Sequence, residues 1–323
     1  MITELGDSVL RRKAVEILNF TKKFGDFTAV DNLVLDIYEG EIFGLLGPNG
    51  SGKTTTLLTI ATVYRPTSGD IYVFGHSVTK EDYMVRKFVG IAFQEPKAMW
   101  MDKPYDILLW HARVVGYSHE EARKVVRDVM DTLGLWEHRN KYFYQLSGGT
   151  RKKVELAKVL IQRPKVAILD EPTAQVDVLS KHALWDQIKN LQKEGSTIII
   201  ATNDMFEAEK VCERVGIIHA GKLRALGTIE ELKDMIPRGD VLEIHAPSPI
   251  PVDLLNELNT VYGRAKSNGS NVVFIYLERG EEKVLEIVDV FRKYGVKISK
   301  IIMKEPSLDD VFTYLTGARL REG

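Results

Sequence analysis

The sequence predicts an α/β protein in two parts: a larger domain over residues 1–237 on a mainly parallel sheet with an antiparallel β layer, and a small α+β domain over 238–323. Three observations carry this. Ile42 to Leu46 is a short apolar run that passes directly into Gly47-Pro48-Asn49-Gly50-Ser51-Gly52-Lys53-Thr54 and then into a helical stretch. Strands and helices alternate through the middle of the chain, as they do around a parallel sheet. Beyond Pro237-Arg238-Gly239 the order becomes β-α-β-β-α-β, which suggests a ferredoxin-like sandwich. With 323 residues, 44% of them apolar, the chain is long enough for a full domain and a smaller one.

Taken in order, Val15 to Glu39 reads as strands with polar turns, an antiparallel layer leading into the strand at Ile42. Val89 to Phe93 is an apolar run that ends at Gln94. Ser118 to Leu135 carries Ala122, Val125, Val126, Val129 and Leu133 at helical spacing and stops near Gly134. Ser147 is a good N-cap for a helix with Val154, Ala157, Leu160 and Ile161 on one face, and Pro164 stops it. Val166 to Asp170 reads as a buried strand, and Lys181 to Lys193 as an amphipathic helix. In the second domain, Val241 to His245, Val272 to Leu277 and Lys297 to Met303 read as strands, with Arg264 to Ser267 as an additional one. Val252 to Tyr262 and Glu281 to Tyr294 read as helices, and Ser307 caps a last one.

The loop at Gly47 to Thr54 fits the G-x-x-x-x-G-K-[ST] pattern in its required strand, loop, helix context. Its glycines let backbone N–H groups turn inward around a phosphate, and the helix N-terminus adds partial positive charge. Lys53 is expected to reach the terminal phosphates, and the Thr54 hydroxyl to take a place on Mg²⁺. The strand at Val166 ends in Asp170-Glu171, so two carboxylates emerge at the carboxyl edge of a parallel sheet, where α/β proteins put their ligands. Asp170 suits a hold on Mg²⁺ through water, and Glu171 suits orienting or deprotonating a water that attacks the γ-phosphate. In Leu146-Ser147-Gly148-Gly149-Thr150, capping explains Ser147 but not the two glycines. They weaken a helix start yet bare N–H groups to an anion.

Gly47 to Thr54, Gln94, Leu146 to Thr150, Asp170-Glu171 and Asp177 together resemble the ATP-binding subunit of ABC transporters, in matching order and spacing across roughly the first 235 residues. The resemblance implies a P-loop NTPase fold of the ABC ATPase type, with a helical subdomain inserted over about 95–165. It implies ATP and Mg²⁺ as ligands, with Asn49, Gly50, Ser51, Gly52 and Thr55 also at the nucleotide. Two such domains would pair head to tail, so that Ser147, Gly148, Gly149 and Asp177 of one chain face the nucleotide held by Lys53 of the other. It implies further that Phe24 stacks on adenine, where the family usually has Tyr; Phe keeps the π-face and loses the hydroxyl. A core aromatic near a strand end is the alternative for Phe24. Gln94 would touch Mg²⁺ and the attacking water, the alternative being a surface glutamine. The segment Glu95 to Trp110 lies where the family receives a short helix of the membrane subunit, and exposed Met99, Trp100, Met101 and Tyr105 would suit that contact, unless they pack inside the subdomain. Arg224 to Thr228 and Glu230 to Leu232 stand where the family has a last strand, a turn and a short helix. Glu305 to Phe312 resembles the tail of ATPase subunits in the drug-export, ABC-2 type branch.

Three departures bear on mechanism. Thr150 stands where Gln is usual, Gln175-Val176 replaces Gly-Leu before Asp177, and Asn203 follows the strand Ser196 to Ala201 where the family carries His. Asn can donate to a phosphate but cannot carry a proton or a positive charge. Slow hydrolysis, or pairing with a different ATPase subunit that has the usual His, is therefore an expectation of this sequence.

Lys and Arg total 44 against 45 acidic residues, so nothing suggests a general attraction to nucleic acid. The single cysteine, Cys212, reads as a small buried residue. Arg11-Arg12-Lys13 could touch lipid headgroups or form a solvated patch. No run approaches a membrane span and Met1 to Ala14 shows no signal-peptide pattern, so a cytoplasmic protein, peripheral to the membrane and dependent on a separate permease, is expected. Besides an exporter ATPase, two readings stand open: an ATP-gated regulatory subunit that hydrolyses slowly, and a soluble ABC-type protein outside transport.

Overall fold

The structure, a computed structural model, describes residues 11–96, 98–236, 240–262, 265–267, 271–277 and 280–317. The expected domain boundary at Pro237 to Gly239 lies outside the described residues, as do Arg264 and most of the segment Met1 to Ala14. The Cα packing divides the chain into two compact units, Met1–Leu223 and Arg224–Gly323.

In the first unit, β1 (Lys13–Phe24) and β2 (Phe27–Tyr38) form an antiparallel pair from Lys13↔Tyr38 to Phe24↔Phe27. Val15, Ile17, Leu33, Leu35 and Ile37 are buried from it. After β3 (Ile42–Leu46) and α1 (Lys53–Ile60), the chain returns as β4 (Ser68–Val73), antiparallel to β1, and adds the short β5 (His76–Ser77). This is the expected antiparallel layer. Next come α2 (Asp82–Phe88) and β6 (Val89–Ala92).

Three helices form the subdomain that follows: α3 (Pro104–Val114), α4 (His119–Thr132) and α5 (Gly148–Gln162). Proline at its first position opens α3, where a missing N–H costs nothing. A capping box opens α4, with the Glu121 N–H donating to Ser118 Oγ at 3.3 Å and the Ser118 N–H donating to Glu121 Oε2 at 2.8 Å. Ala122, Val126 and Met130 bury one stripe of α4. Of the aromatic and sulfur side chains expected on this surface, Met99, Trp100 and Met101 are exposed, and so is Trp110. Tyr105 follows the alternative, packing within the subdomain: it is half-buried and meets Trp136 edge-on at 6.0 Å.

The chain then alternates β7 (Val166–Asp170), α6 (Val178–Lys193), β8 (Thr197–Thr202), α7 (Met205–Val211) and β9 (Arg214–His219). Helix α6 starts three residues before the periodicity suggests, because the Asp177 carboxylate accepts the Ser180 N–H at 2.9 Å and caps it there. Five parallel strands lie side by side as β9-β3-β8-β7-β6, and β3, β7 and β8 are buried along their whole length. Near-continuous apolar runs are what a sheet covered on both faces requires. Because the strands are parallel, the residues after β3, β8, β7 and β6 emerge in a row at one edge. Those residues are Gly47, Asn203, Glu171 and, one position further on, Gln94. Cys212 is buried, as expected.

Strand β10 (Lys222–Thr228) spans the division between the units, and α8 (Ile229–Lys233) follows it. The second unit then has β11 (Asp240–His245), α9 (Val252–Tyr262), β12 (Ala265–Ser267), β13 (Val272–Leu277), α10 (Gly280–Lys293), β14 (Lys300–Lys304) and α11 (Leu308–Thr316). Its antiparallel sheet runs β12-β13-β11-β14, with the first and third strands at the centre, the ferredoxin-like arrangement. Alternate residues Leu242, Ile244, Val273 and Ile275 pack with Leu254 and Leu258 of α9 and Ile287 and Phe291 of α10. Strand β14 begins at Lys300 rather than Lys297: Gly295 (φ +69°) ends α10, and the Ser299 N–H donates to the His245 carbonyl at 2.8 Å just before pairing begins.

Candidate nucleotide-binding site

Phe24, Phe27, Ala29, Asn49, Gly50, Gly52, Lys53, Thr54, Thr55, Gln94 and Glu171 line a cavity of about 400 Å³ at the carboxyl edge of the parallel sheet. The loop from Gly47 wraps onto the N-terminus of α1. Gly52 caps that helix with φ +108°, and a Cβ there would stand 2.6 Å from the Ala29 carbonyl oxygen, so glycine is required for both conformation and space. Lys53 is buried, and its Nζ donates to the carbonyls of Gly47 at 2.8 Å and Pro48 at 3.0 Å. Burial lowers its pKa, while the carboxylates of Glu171 and Asp170 pull it back up. Ser51 is buried, and its hydroxyl has no partner.

Asp170 is 3% exposed, and burial raises its pKa against the hydrogen bond it accepts from the Thr54 hydroxyl. Its Oδ1 has no hydrogen-bond partner. Glu171 has left-handed φ of +48°, its N–H donates to the Ala201 carbonyl at 2.8 Å, and its Oε2 accepts from Gln94 Nε2 at 3.0 Å. Asn203 Nδ2 donates to Asn49 Oδ1 at 3.3 Å, so the residue after β8 touches the phosphate loop. Asp204 caps α7 and pairs with Lys181 at 2.9 Å, which ties that turn to α6.

Ser147 caps α5, its Oγ accepting the Thr150 N–H at 3.2 Å, and its hydroxyl meets Thr150 Oγ1 at 2.8 Å. Gly148 and Gly149 are the first residues of that helix and pack against Gln175-Val176 of the same chain. A Cβ on Gly148 would stand 2.3 Å from Gln175 Oε1. Gln175 takes φ +64° where the resemblance has glycine. The cavity therefore gathers Phe24, the phosphate loop, Gln94 and Glu171; Asp170 joins them through Thr54 and Asn203 through Asn49. Ser147, Gly148, Gly149 and Asp177 are not among its lining residues.

Phe24 is 44% exposed at the cavity wall, edge-on to Tyr64 at 5.4 Å, with Lys22 Nζ 4.9 Å from its ring centroid. A core position for Phe24 is thereby excluded. Sequence reasoning missed Phe27, which is exposed on the same wall, and nothing in an isolated aromatic at a turn signals that role. It also missed Lys152, which is buried although lysine seldom is.

A family model described as ABC transporter matches residues 30–174. The Nod factor export ATP-binding protein I of Burkholderia lata is 31% identical over 95% of this chain and 98% of its own length. The chain belongs to the ABC transporter ATP-binding family. Another member similar to it, the daunorubicin/doxorubicin resistance ATP-binding protein of Streptomyces peucetius, is 29% identical over 94% of this chain and 93% of its own. Among solved ABC structures, a dimeric ATP-binding cassette in a post-hydrolysis state with ADP and Pi aligns with TM-score 0.62 at 27% identity. That alignment covers 66% of this chain and 98% of the cassette. Like other members of the family, the chain is a nucleotide-binding ATPase.

Proposed function

We propose that this chain is the ATP-binding and ATP-hydrolysing subunit of a membrane exporter, working by ATP-driven closure of two cassettes. The observation that carries the reading is the convergence of the phosphate loop, Asp170-Glu171, Gln94 and Asn203 at the ends of four adjacent parallel strands. In this reading the N–H groups of Gly50, Ser51, Gly52, Thr54 and Thr55 and the Lys53 ammonium hold the phosphates, once Lys53 exchanges its two carbonyl partners for them. Phe24 offers its ring face to the base.

The donor set fits Mg²⁺. Asp170, beside Thr54, presents a buried carboxylate oxygen with no partner, and Gln94 adds an amide oxygen. Thr54, Gln94 and Asp170 would hold the ion, the last through water; bound there, Mg²⁺ neutralises phosphate charge. Glu171 accepts the proton of the attacking water, and its bond to Gln94 orients the carboxylate. Asn203 contributes one neutral donor near the γ-phosphate.

Ser147, Gly148, Gly149 and Asp177 would complete the site of a second ATPase subunit. Among the described residues no helix is long and apolar enough to cross a membrane, so the pathway is assigned to a separate permease, met through Met99, Trp100, Met101 and Trp110. The names of the similar export and resistance proteins support the export direction. Co-purification from membranes with a multi-spanning protein tests this reading; recovery only as a free chain in every membrane preparation contradicts it. Asn203 favours a second reading, a slowly hydrolysing, ATP-gated subunit, which normal wild-type turnover excludes.

A further inference from the structure

We propose that Lys152 is a positioning residue for hydrolysis: from α5 its ammonium clamps the two peptide carbonyls that precede Gln94 and Glu171 and holds that pair in register. The inference rests on the functional reading above. Lys152 is only 7% exposed, five residues after the Ser147 cap. Its Nζ stands 3.4 Å from the Asp170 carbonyl oxygen and 3.5 Å from that of Phe93. An ammonium has three donors, so one lysine can face both. The two carbonyls sit at the ends of neighbouring strands, β7 and β6, paired in parallel up to Ala92↔Leu169.

What makes the clamp more than packing is the backbone it holds. Glu171 lies at φ +48°, a conformation that strains a residue with a Cβ and persists only where its surroundings enforce it. The peptide unit between Asp170 and Glu171 is gripped at both ends: its N–H donates to the Ala201 carbonyl at 2.8 Å, and its C=O faces Lys152. The peptide before Gln94 faces the same ammonium, and the Gln94 amide then reaches Glu171 at 3.0 Å. Burial pushes the Lys152 pKa down, whereas Asp170, Glu171, Glu155 and Glu207 favour the charged form. Since Lys152 shares α5 with Ser147, Gly148 and Gly149, the clamp also ties the seating of that helix start to the geometry of Gln94 and Glu171.

The test compares Lys152→Met, which keeps the stem and removes the donors, with Lys152→Gln, which keeps N–H donors without charge. Turnover is measured in the full chain, and nucleotide affinity separately by equilibrium binding of a fluorescent ATP analogue. Wild-type turnover abolished by Glu171→Gln establishes the functional reading beforehand, so an unaffected Met variant counts against the clamp alone. The clamp predicts kcat reduced by about tenfold or more in Lys152→Met, with KM and affinity within about threefold of wild type, and recovery of most of kcat in Lys152→Gln. Unchanged kcat in Lys152→Met overturns it, as does an equal loss of affinity, or a Gln variant as slow as the Met variant. Should the Met variant not fold, Lys152→Ala, which also removes the donors, takes its place and is combined with Gln94→Ala: losses smaller than multiplicative support the clamp, and multiplicative losses overturn it.

Discussion

Replacing Asn203 by His tests how this site departs from its family. Asn203 is half-buried after β8 and its amide is engaged by Asn49 at 3.3 Å, at the long end of hydrogen-bond distances and in reach of water. Giving up that bond costs a few tenths of a kcal/mol. A neutral donor to phosphate contributes about 0.5–1.5 kcal/mol, and a charged one about 1.5–3 kcal/mol. The net gain for an imidazolium that faces the γ-phosphate in the transition state is therefore about 1 kcal/mol, or roughly fivefold in kcat. Since an ordinary histidine titrates near pH 6.5, the gain grows as pH falls from about 8 to about 6 and fades above the pKa, where the ring is neutral. Steady-state phosphate release at saturating ATP across that range is the assay, with nucleotide affinity measured alongside. Turnover unchanged at every pH, with affinity intact, would show that residue 203 does not face the γ-phosphate in the transition state.

Phe24→Ala removes the ring face at the cavity wall and should weaken nucleotide binding by about tenfold, the value of one base–aromatic stack, with kcat little changed; titration with ATP reads this directly. Gly148→Ala places a Cβ 2.3 Å from Gln175 Oε1, the end of an exposed side chain that can turn away. That variant should fold with a stability loss below about 1 kcal/mol; if two cassettes pair as proposed, it should also lose most of its turnover, because the methyl would cover N–H groups facing the partner's phosphate. Phe291→Ala empties a fully buried position in the second unit and should cost about 3–5 kcal/mol in that unit's unfolding, followed by denaturant titration, while ATP binding persists.

What the sequence made legible follows physical periodicity. Strands β3 and β7 were readable because an apolar run ending in glycine or in paired carboxylates admits little else, and the parallel order β3-β8-β7-β6 puts Gly47, Glu171 and Gln94 at one edge. The second unit's strand order followed from the β-α-β-β-α-β succession. The place of Tyr105 stays open in the sequence because an aromatic at a helix start has the same signal whether it faces solvent or, as here, Trp136. Lys152 escaped notice for a related reason. A basic residue on an amphipathic helix reads as solvated, and only the tertiary neighbours Phe93 and Asp170 reveal it as buried. The left-handed backbone of Glu171 and Gln175 is likewise invisible in sequence, since neither residue is one that favours it.

In the proposed mechanism Glu171 drives hydrolysis of a nucleotide held by the phosphate loop. Comparing ATP turnover of the wild-type chain with Glu171→Gln tests it most directly, because Gln keeps the shape and the contact with Gln94 while losing the ability to take a proton. The expected result is a loss of about a hundredfold or more in kcat, with ATP affinity preserved. Equal turnover in the two proteins contradicts it.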